Sequence, residues 1–377
     1  EILSGLVGSE MCIRDRQHAE DIVFWEGSRG AVRAVESLKK LEQGGHKDVT
    51  IKWDGSPAII FGRNADGEFT FTDKSGFVKK GGVERATSGD DLEQFLLNRG
   101  GGANRDKPDR IEFASQMKQA FDLYEKAFPK NHVGFFKGDL LYYTTPPTQD
   151  NKFVFTPNIV TYYVDTGSDI GKRISQSQSG VVIHRQIDEQ GNESAINIDA
   201  NTFFEGNDVL VFPPVTVSKA PRVIDSEVNN LKVLISKHAR NLDDLLNKEA
   251  LVQLKLTAFS DILYKYVNQK VDTGLDNLGS DFTSWLATSK VSKPMQERII
   301  KYITEHKAGF EALWAVVVGI QKVKNDIINQ FDNHDSDIKA SIGNTPGGEG
   351  YVLAHPQGDI KLVNRGGFTA ANRAVQR

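Results

Sequence analysis

In the stretch RGAVRAVESLKKL, Ala31, Val32, Val35, Leu38 and Leu41 recur at three- and four-residue intervals with polar residues between them. That period is the one a helix needs to turn an apolar stripe toward a core, so a helix packed on one face is expected here. A second run, IEFASQMKQAFDLYEKAF, keeps the same spacing through Ile111, Ala114, Met117, Phe121, Tyr124 and Phe128. Around these helices the pattern changes. VTIKWDGSPAIIFGR, EFTFTDKSGFVKK, HVGFFKGDLLYY, KFVFTPNIVTYYVDT, SGVVIHRQID and DVLVFPPVTV are short apolar runs, punctuated by Asp54-Gly55, Ser56-Pro57, Asp66-Gly67 and Ser75-Gly76. They predict strands and turns, and the first half of the chain is α+β in character.

From about Asp225 to about Gln330 the spacing is helical and turn residues are few, which predicts an all-α subdomain over 225–338. Beyond it, GNTPGGEGYVLAHPQGDIKLVNRGGF returns to strands and turns, with Pro356-Gln357-Gly358-Asp359 expected as a hairpin loop. The helical block is therefore expected to interrupt a single α+β domain whose first part is 17–224 and whose second part is 339–377. Residues 1–16, EILSGLVGSEMCIRDR, resemble a translated sequencing adapter and are set aside as a sequence artefact.

Composition narrows the class. A net charge of −4 excludes a protein that coats nucleic acid by overall charge, so a nucleic-acid partner would be met by a local patch. No uninterrupted apolar run has the length of about 18 residues that a membrane helix needs, so no membrane partner is expected. The only cysteine is Cys12, which leaves no disulfide within the chain and points to a reducing, cytoplasmic setting, the host's if the gene belongs to a phage. The eight histidines lack zinc-type pairing, and Gly100-Gly101-Gly102 lacks the flanking residues of a phosphate-binding loop or a dinucleotide fingerprint. His184, in SGVVIHR, reads as a satisfied or exposed histidine on a buried strand.

One lysine carries candidate chemistry. Lys52 stands two residues before Asp54-Gly55, between strand-like runs. Taken alone, Lys-x-Asp-Gly reads as a surface hairpin with a solvated lysine. Asp54 would cap its turn, and Gly55 would supply backbone freedom. Lys52-Trp53-Asp54-Gly55 nevertheless resembles motif I of the covalent nucleotidyltransferases, the superfamily of ATP-dependent DNA ligases, RNA ligases and mRNA capping enzymes, and Ser56 brings it closest to phage RNA ligases. In the family's order, FFKGDLLYY resembles motif III, IVTYYVDT motif IIIa, Gly348-Glu349-Gly350-Tyr351-Val352 motif IV, and Ile360-Lys361-Leu362 the start of motif V.

The resemblance implies a ligase-type domain of antiparallel sheets with flanking helices. It also implies an ATP-dependent polynucleotide ligase, favouring RNA over DNA, with 5′-phosphate ends as the nucleic-acid partner and ATP with Mg²⁺ or Mn²⁺ as cofactors. Lys52 would carry AMP, Lys361 would neutralise the α-phosphate, and Glu349 would hold the metal. Asp54 and Gly55 complete the lysine motif. Asp139 would bond the ribose, Tyr163 or Tyr162 would stack on adenine, and Arg63 would contact ribose or phosphate. A positive segment with Lys74, Lys79, Lys80 and Arg85, joined by Arg365, would track the nucleic-acid backbone. The helical block would clamp nucleic acid or dock a protein partner.

Three features depart from the family pattern. Val363 stands where motif V has a second lysine, Asp139 stands where a glutamate is usual, and Lys52 and Glu349 are far apart in sequence. They keep two alternatives open: a non-catalytic nucleotide- or nucleic-acid-binding protein of degenerate nucleotidyltransferase fold, and a nucleotidyltransferase with a different acceptor.

Overall fold

The computed structural model of the chain describes residues 16–73, 76–77, 85–196, 198–199, 202–270, 277–334 and 336–366. In chain order, strand β1 (Arg16–His18), helix α1 (Val23–Lys40) and strand β2 (Val49–Ile51) lead to β3 (Ala58–Arg63), β4 (Phe69–Asp73), α2 (Gly89–Asn98) and α3 (Pro108–Ala127). Strands β5 (Gly134–Tyr142), β6 (Thr148–Gln149), β7 (Lys152–Phe155) and β8 (Thr161–Asp165) precede α4 (Asp169–Ile174), β9 (Ser179–Ile187), β10 (Glu193–Ser194) and β11 (Val209–Val211). Helices α5 (Asp225–Leu245), α6 (Lys248–Gln253), α7 (Phe259–Lys270), α8 (Leu278–Thr288), α9 (Lys293–Glu305) and α10 (Lys307–Asp332) follow, then β12 (Ile338–Ile342), β13 (Thr345–Pro346), β14 (Tyr351–Leu353) and β15 (Asp359–Leu362). The architecture is mixed α and β with mainly antiparallel sheets, and two pairings, β1 with β15 and β11 with β9, are parallel. Among the described residues no helix is long and apolar enough to cross a membrane.

Contacts divide the chain into two compact units, one holding the described residues of 1–52, 215–334 and 349–377, the other those of 53–214 and 335–348. In the first unit the sheet runs β1-β15-β14-β2, and helices α1 and α5 to α10 share one core with it. The helices of the 225–338 block therefore pack with an N-terminal helix and a C-terminal hairpin. That hairpin, β14 with β15, turns at the expected Pro-Gln-Gly segment. The stripe of α1 buries Ala31, Ala34, Val35 and Leu38, whereas Val32 is 38% exposed. At about 100° per residue, Val32 falls a step off the line through Ala31, Val35 and Leu38. Gly27 breaks the helix with φ of 60°, and a Cβ there would lie 2.4 Å from Asp243 Oδ1. That carboxylate instead accepts the Ser28 backbone N–H and hydroxyl, both at 2.7 Å, capping the helical turns that follow.

The C-terminus of α10 meets β14 through Tyr351, whose hydroxyl donates to Asp332 Oδ1 at 2.9 Å. Burial pushes the Asp332 carboxyl up to about 6, against the pull of that hydrogen bond. A carboxyl raised in the folded state stabilises the fold below its unfolded pKa, and that contribution is lost as pH rises through about 6. Asp332→Asn, neutral throughout, is therefore expected to match the parent near pH 4 and to exceed it above pH 7, on the order of 1 kcal/mol. Thermal melts across that range check this, and a variant whose advantage grows toward acid would refute the assignment.

The second unit holds two sheets. The larger runs β10-β9-β5-β3-β4 with β11 alongside β9, and the smaller runs β13-β12-β8-β7-β6. Ile59, Phe61, Phe71 and Phe136 face Phe121 and Tyr124 of α3 in one core. Ile111 was expected on that apolar stripe but is 48% exposed, a turn before the first buried residue of α3, Ala114. Trp53, Tyr142, Phe155, Tyr162 and Phe212 form a second, aromatic cluster.

Candidate functional site

In the first unit, Lys52 directly follows β2, and its backbone N–H continues the ladder by donating to Gly350 O at 2.9 Å. β14 lies antiparallel to β2 with Tyr351 opposite Ile51, and this register brings Glu349 to the lysine. The two side chains form an ion pair and are half-buried, 23% and 16% exposed. Gly350 is required between them and the strand. Its φ is +124°, and a Cβ would stand 2.4 Å from Leu362 O. Lys361, on β15, pairs with Val352 on one side and with His18 of β1 on the other. Lys361 thus lies in the four-stranded sheet, and Lys52 and Glu349, remote in sequence, meet beside the ends of its β2 and β14 strands.

His18 registers the charge of this region. Its imidazole is held well below its usual pKa, first by burial and then by the positive fields of Arg365, Lys324, Lys361 and Lys52. Its Nδ1 is shut off from solvent with no hydrogen-bond partner among the described residues. Next to β1, Glu20 and Asp21 are fully buried. Lys324 donates to both Glu20 oxygens at 2.7 and 2.9 Å. Arg365 grips Asp21 at 2.8 and 2.5 Å and reaches Asn268 at 3.0 Å. Burial pushes the Asp21 carboxyl up to about 6, against the Arg365 guanidinium, while the charges of Lys324 and Arg365 overcome burial to hold Glu20 low. Arg365, expected on a surface that tracks nucleic acid, is 3% exposed and belongs to this interior network instead. An isolated buried carboxylate pair would be too costly, and the arginine neutralises it.

In the second unit, the segment after Lys52 is fastened to its surroundings. The Asp54 N–H donates to the Tyr162 hydroxyl at 2.5 Å, and Asp54 Oδ1 accepts from Asn158 Nδ2 at 3.2 Å. Ser56 N–H donates to Leu140 O at 2.9 Å, and Leu140 N–H to Pro57 O at 3.1 Å. Gly55 is needed for close approach rather than an unusual φ, because a Cβ would lie 2.6 Å from Asp139 Cβ and 2.7 Å from Leu140 O. Asp139 therefore sits against the irregular Asp54-Gly55-Ser56 segment.

The remaining candidates separate. Tyr162 is fully buried, with Trp53 and Phe155 against its ring, so its role in this structure is to hold Asp54. Its neighbour Tyr163 points the other way on β8, is half-buried, and approaches Ser341 Oγ at 3.4 Å. Arg63 is buried, donates to Gly67 O and Glu125 O at 3.0 and 3.1 Å, and stacks on Phe69, which makes it a structural arginine here. Arg85 stacks on Phe77 at 4.0 Å and donates to Glu189 O. Lys74, Lys79 and Lys80 lie outside the described residues.

His184 was not singled out as a site residue by sequence reasoning. Its Nε2 lies 2.8 Å from Asp139 Oδ2. Its neighbours in SGVVIHR carry only a strand pattern, so nothing local signals the bond. Among the described residues no group of three or more His, Cys, Asp or Glu could hold a metal by itself. One half-buried carboxylate, Glu349, does fit Mg²⁺ delivered with the phosphates of a nucleotide, which keeps most of its ligands as water and phosphate oxygens.

A family model described as a family of unknown function, DUF6267, matches residues 16–377, and the chain belongs to that family. No curated protein and no solved structure matches it.

Proposed function

We propose that this protein is a covalent nucleotidyltransferase, an ATP-dependent polynucleotide ligase with RNA as the favoured substrate. The observation that carries the reading is the pairing of Lys52 with Glu349 across β2 and β14, because these residues come from the segments that resemble motifs I and IV. In the first step the Lys52 amine, having passed a proton to a base, attacks the α-phosphorus of ATP. A P–N bond forms, the Pα–O bond to the leaving group breaks, and pyrophosphate departs. In the second, a 5′-phosphate oxygen of the nucleic acid displaces the lysine and takes AMP through a new pyrophosphate linkage. In the third, a 3′-hydroxyl attacks that 5′-phosphate, the phosphodiester forms, and AMP leaves.

In this reading Glu349, ion-paired with Lys52, would accept the lysine proton, and its hard anionic oxygens are the donors that would hold Mg²⁺ when it is bound. Lys361 supplies positive charge for the phosphate as charge builds at the reacting phosphorus. The test is to incubate the protein with Mg²⁺ and ATP labelled at either the α- or the γ-phosphate. The α-label is expected to remain on denatured protein and the γ-label to leave as pyrophosphate. Folded protein that keeps neither label would replace this reading with that of a non-catalytic binding protein.

A further inference from the structure

Alternation along the strands gives the four-stranded sheet of the first unit two unlike faces. Val49, Leu353, Ile360 and Leu362 turn into the helical core. The row Thr50, Val352, Lys361 and His18, paired strand to strand, lies on the opposite face and is half-buried throughout. Lys52 continues the β2 ladder through its N–H to Gly350 O, so the same alternation sets it on that face. Past β2 the sheet is closed, because Ile51 N–H donates to Val215 O and Val217 N–H to Val49 O, both at 2.9 Å. From Lys52 the face therefore extends one way only, across β14 and Lys361 of β15 to His18 on β1.

His18 stands there as a neutral donor. Burial, and then the fields of Arg365, Lys324, Lys361 and Lys52, all disfavour a positive ring. Its Nδ1 is shut off from solvent and unpartnered among the described residues. A buried lone pair at that nitrogen is stabilised by the cations, whereas a buried N–H would be both unbonded and repelled, so the ring's one proton belongs on Nε2. Such a ring offers an N–H to an anion without carrying charge of its own.

We infer that His18 receives the departing pyrophosphate, donating its Nε2–H to one of the pyrophosphate oxygens. The inference rests on the reading of Lys52 as the nucleophile. Attack in line requires the leaving group to depart on the side of phosphorus away from the amine, and across this face the side away from Lys52 ends at His18. As the Pα–O bond breaks, its electron pair stays on the oxygen that leaves, and pyrophosphate gains negative charge. A hydrogen bond from a fixed donor strengthens as that charge builds, and the proton stays on the imidazole throughout. None of the segments that resemble the nucleotidyltransferase motifs includes β1, so strand order and register alone give His18 this place.

Calorimetric titrations with inorganic pyrophosphate and Mg²⁺, and separately with AMP, compare the parent with His18→Phe and His18→Gln. Phenylalanine keeps a ring without a donor, and glutamine offers an amide N–H in nearly the same place. His18→Phe is expected to bind pyrophosphate about tenfold more weakly, the size of one hydrogen bond to a charged group, with its affinity for AMP unchanged. Its adduct formation from ATP should slow by about the same factor, in kcat rather than KM, because the bond strengthens only as charge develops. His18→Gln should bind pyrophosphate within about threefold of the parent, since a neutral donor is restored. Pyrophosphate affinity equal in the parent and His18→Phe would overturn the role of His18, as would an equal loss for pyrophosphate and AMP, and either result leaves an adduct on Lys52 standing. No adduct on the parent would instead remove the Lys52 reading and the leaving-group role with it, even where pyrophosphate binds. Should His18→Phe not fold, the histidine NMR spectrum of the parent decides, with the His18 signal assigned by its absence from His18→Gln: pyrophosphate must shift that signal and AMP must leave it in place.

Discussion

Replacing Lys52 with either alanine or arginine will leave no nucleotide covalently attached to the protein, while the fold survives. Alanine removes the proposed nucleophile together with its charge. Arginine keeps a cation facing Glu349, whose ion pair with Lys52 is half-buried, but a guanidinium does not give up its proton and cannot attack phosphorus. The arginine variant therefore separates charge from nucleophilicity. If Lys52 served only as a counter-ion for Glu349, arginine would keep any nucleotide-dependent activity. If Lys52 is the nucleophile, both variants should fall by about 10⁴-fold or more in adduct formation, the scale seen when a covalent nucleophile is removed. Mass spectrometry of the intact chain after exposure to ATP and Mg²⁺ reads the result directly, and an AMP-sized addition on the alanine variant would place the nucleophile elsewhere.

The second large effect concerns stability. Lys324→Ala is expected to cost about 3–5 kcal/mol, because it leaves Glu20 buried without its main counter-charge. For a unit of this size that corresponds to a fall in Tm on the order of 10 °C. The sign of its pH dependence follows from Glu20, whose carboxyl is held low by Lys324 and Arg365 against the effect of burial. A carboxyl lowered in the folded state stabilises above its unfolded pKa and loses that contribution as pH falls. The gap between parent and variant should thus be widest near neutral pH and close in acid. Lys324→Met combined with Glu20→Gln, which removes both charges, should recover more than half of the loss, since an apolar or neutral replacement of a buried pair is far milder than breaking it. Calorimetric melts decide, and a Lys324→Ala protein as stable as its parent would show that water reaches Glu20.

These two experiments probe residues of the same unit that were unequally visible in the sequence. Lys52 and Glu349 stood out through short local patterns, a lysine two residues before Asp-Gly and an acid between glycines, and the structure pairs them. Glu20, Asp21 and Lys324 lie on apolar-patterned stretches where isolated charges look like solvated positions. Only the packing of α10 against the segment after β1 reveals that they are interior and mutually neutralising. Arg365 shows the same limit from the other side. In sequence it looked like a cation for the nucleic-acid backbone, yet the buried acids claim it.

What the sequence by itself determined is the class of most of the longer elements. Helical spacing marked α1, α3 and the long helical run. Apolar runs between Gly, Asp and Pro marked most of the longer strands, and the hairpin of β14 and β15 was written in its turn residues. These are local properties, set by backbone sterics and by the period at which side chains return to one face. Tertiary structure alone decided which elements share a core and which side chains meet. The 225–338 helices pack with α1 and a sheet built from both ends of the described chain, Tyr162 rather than Tyr163 turned inward, and a one-residue slip between β5 and β9 aimed His184 at Asp139. Such outcomes depend on register and long-range burial, where a shift of one residue exchanges the faces of a strand, and no local window of sequence contains that information.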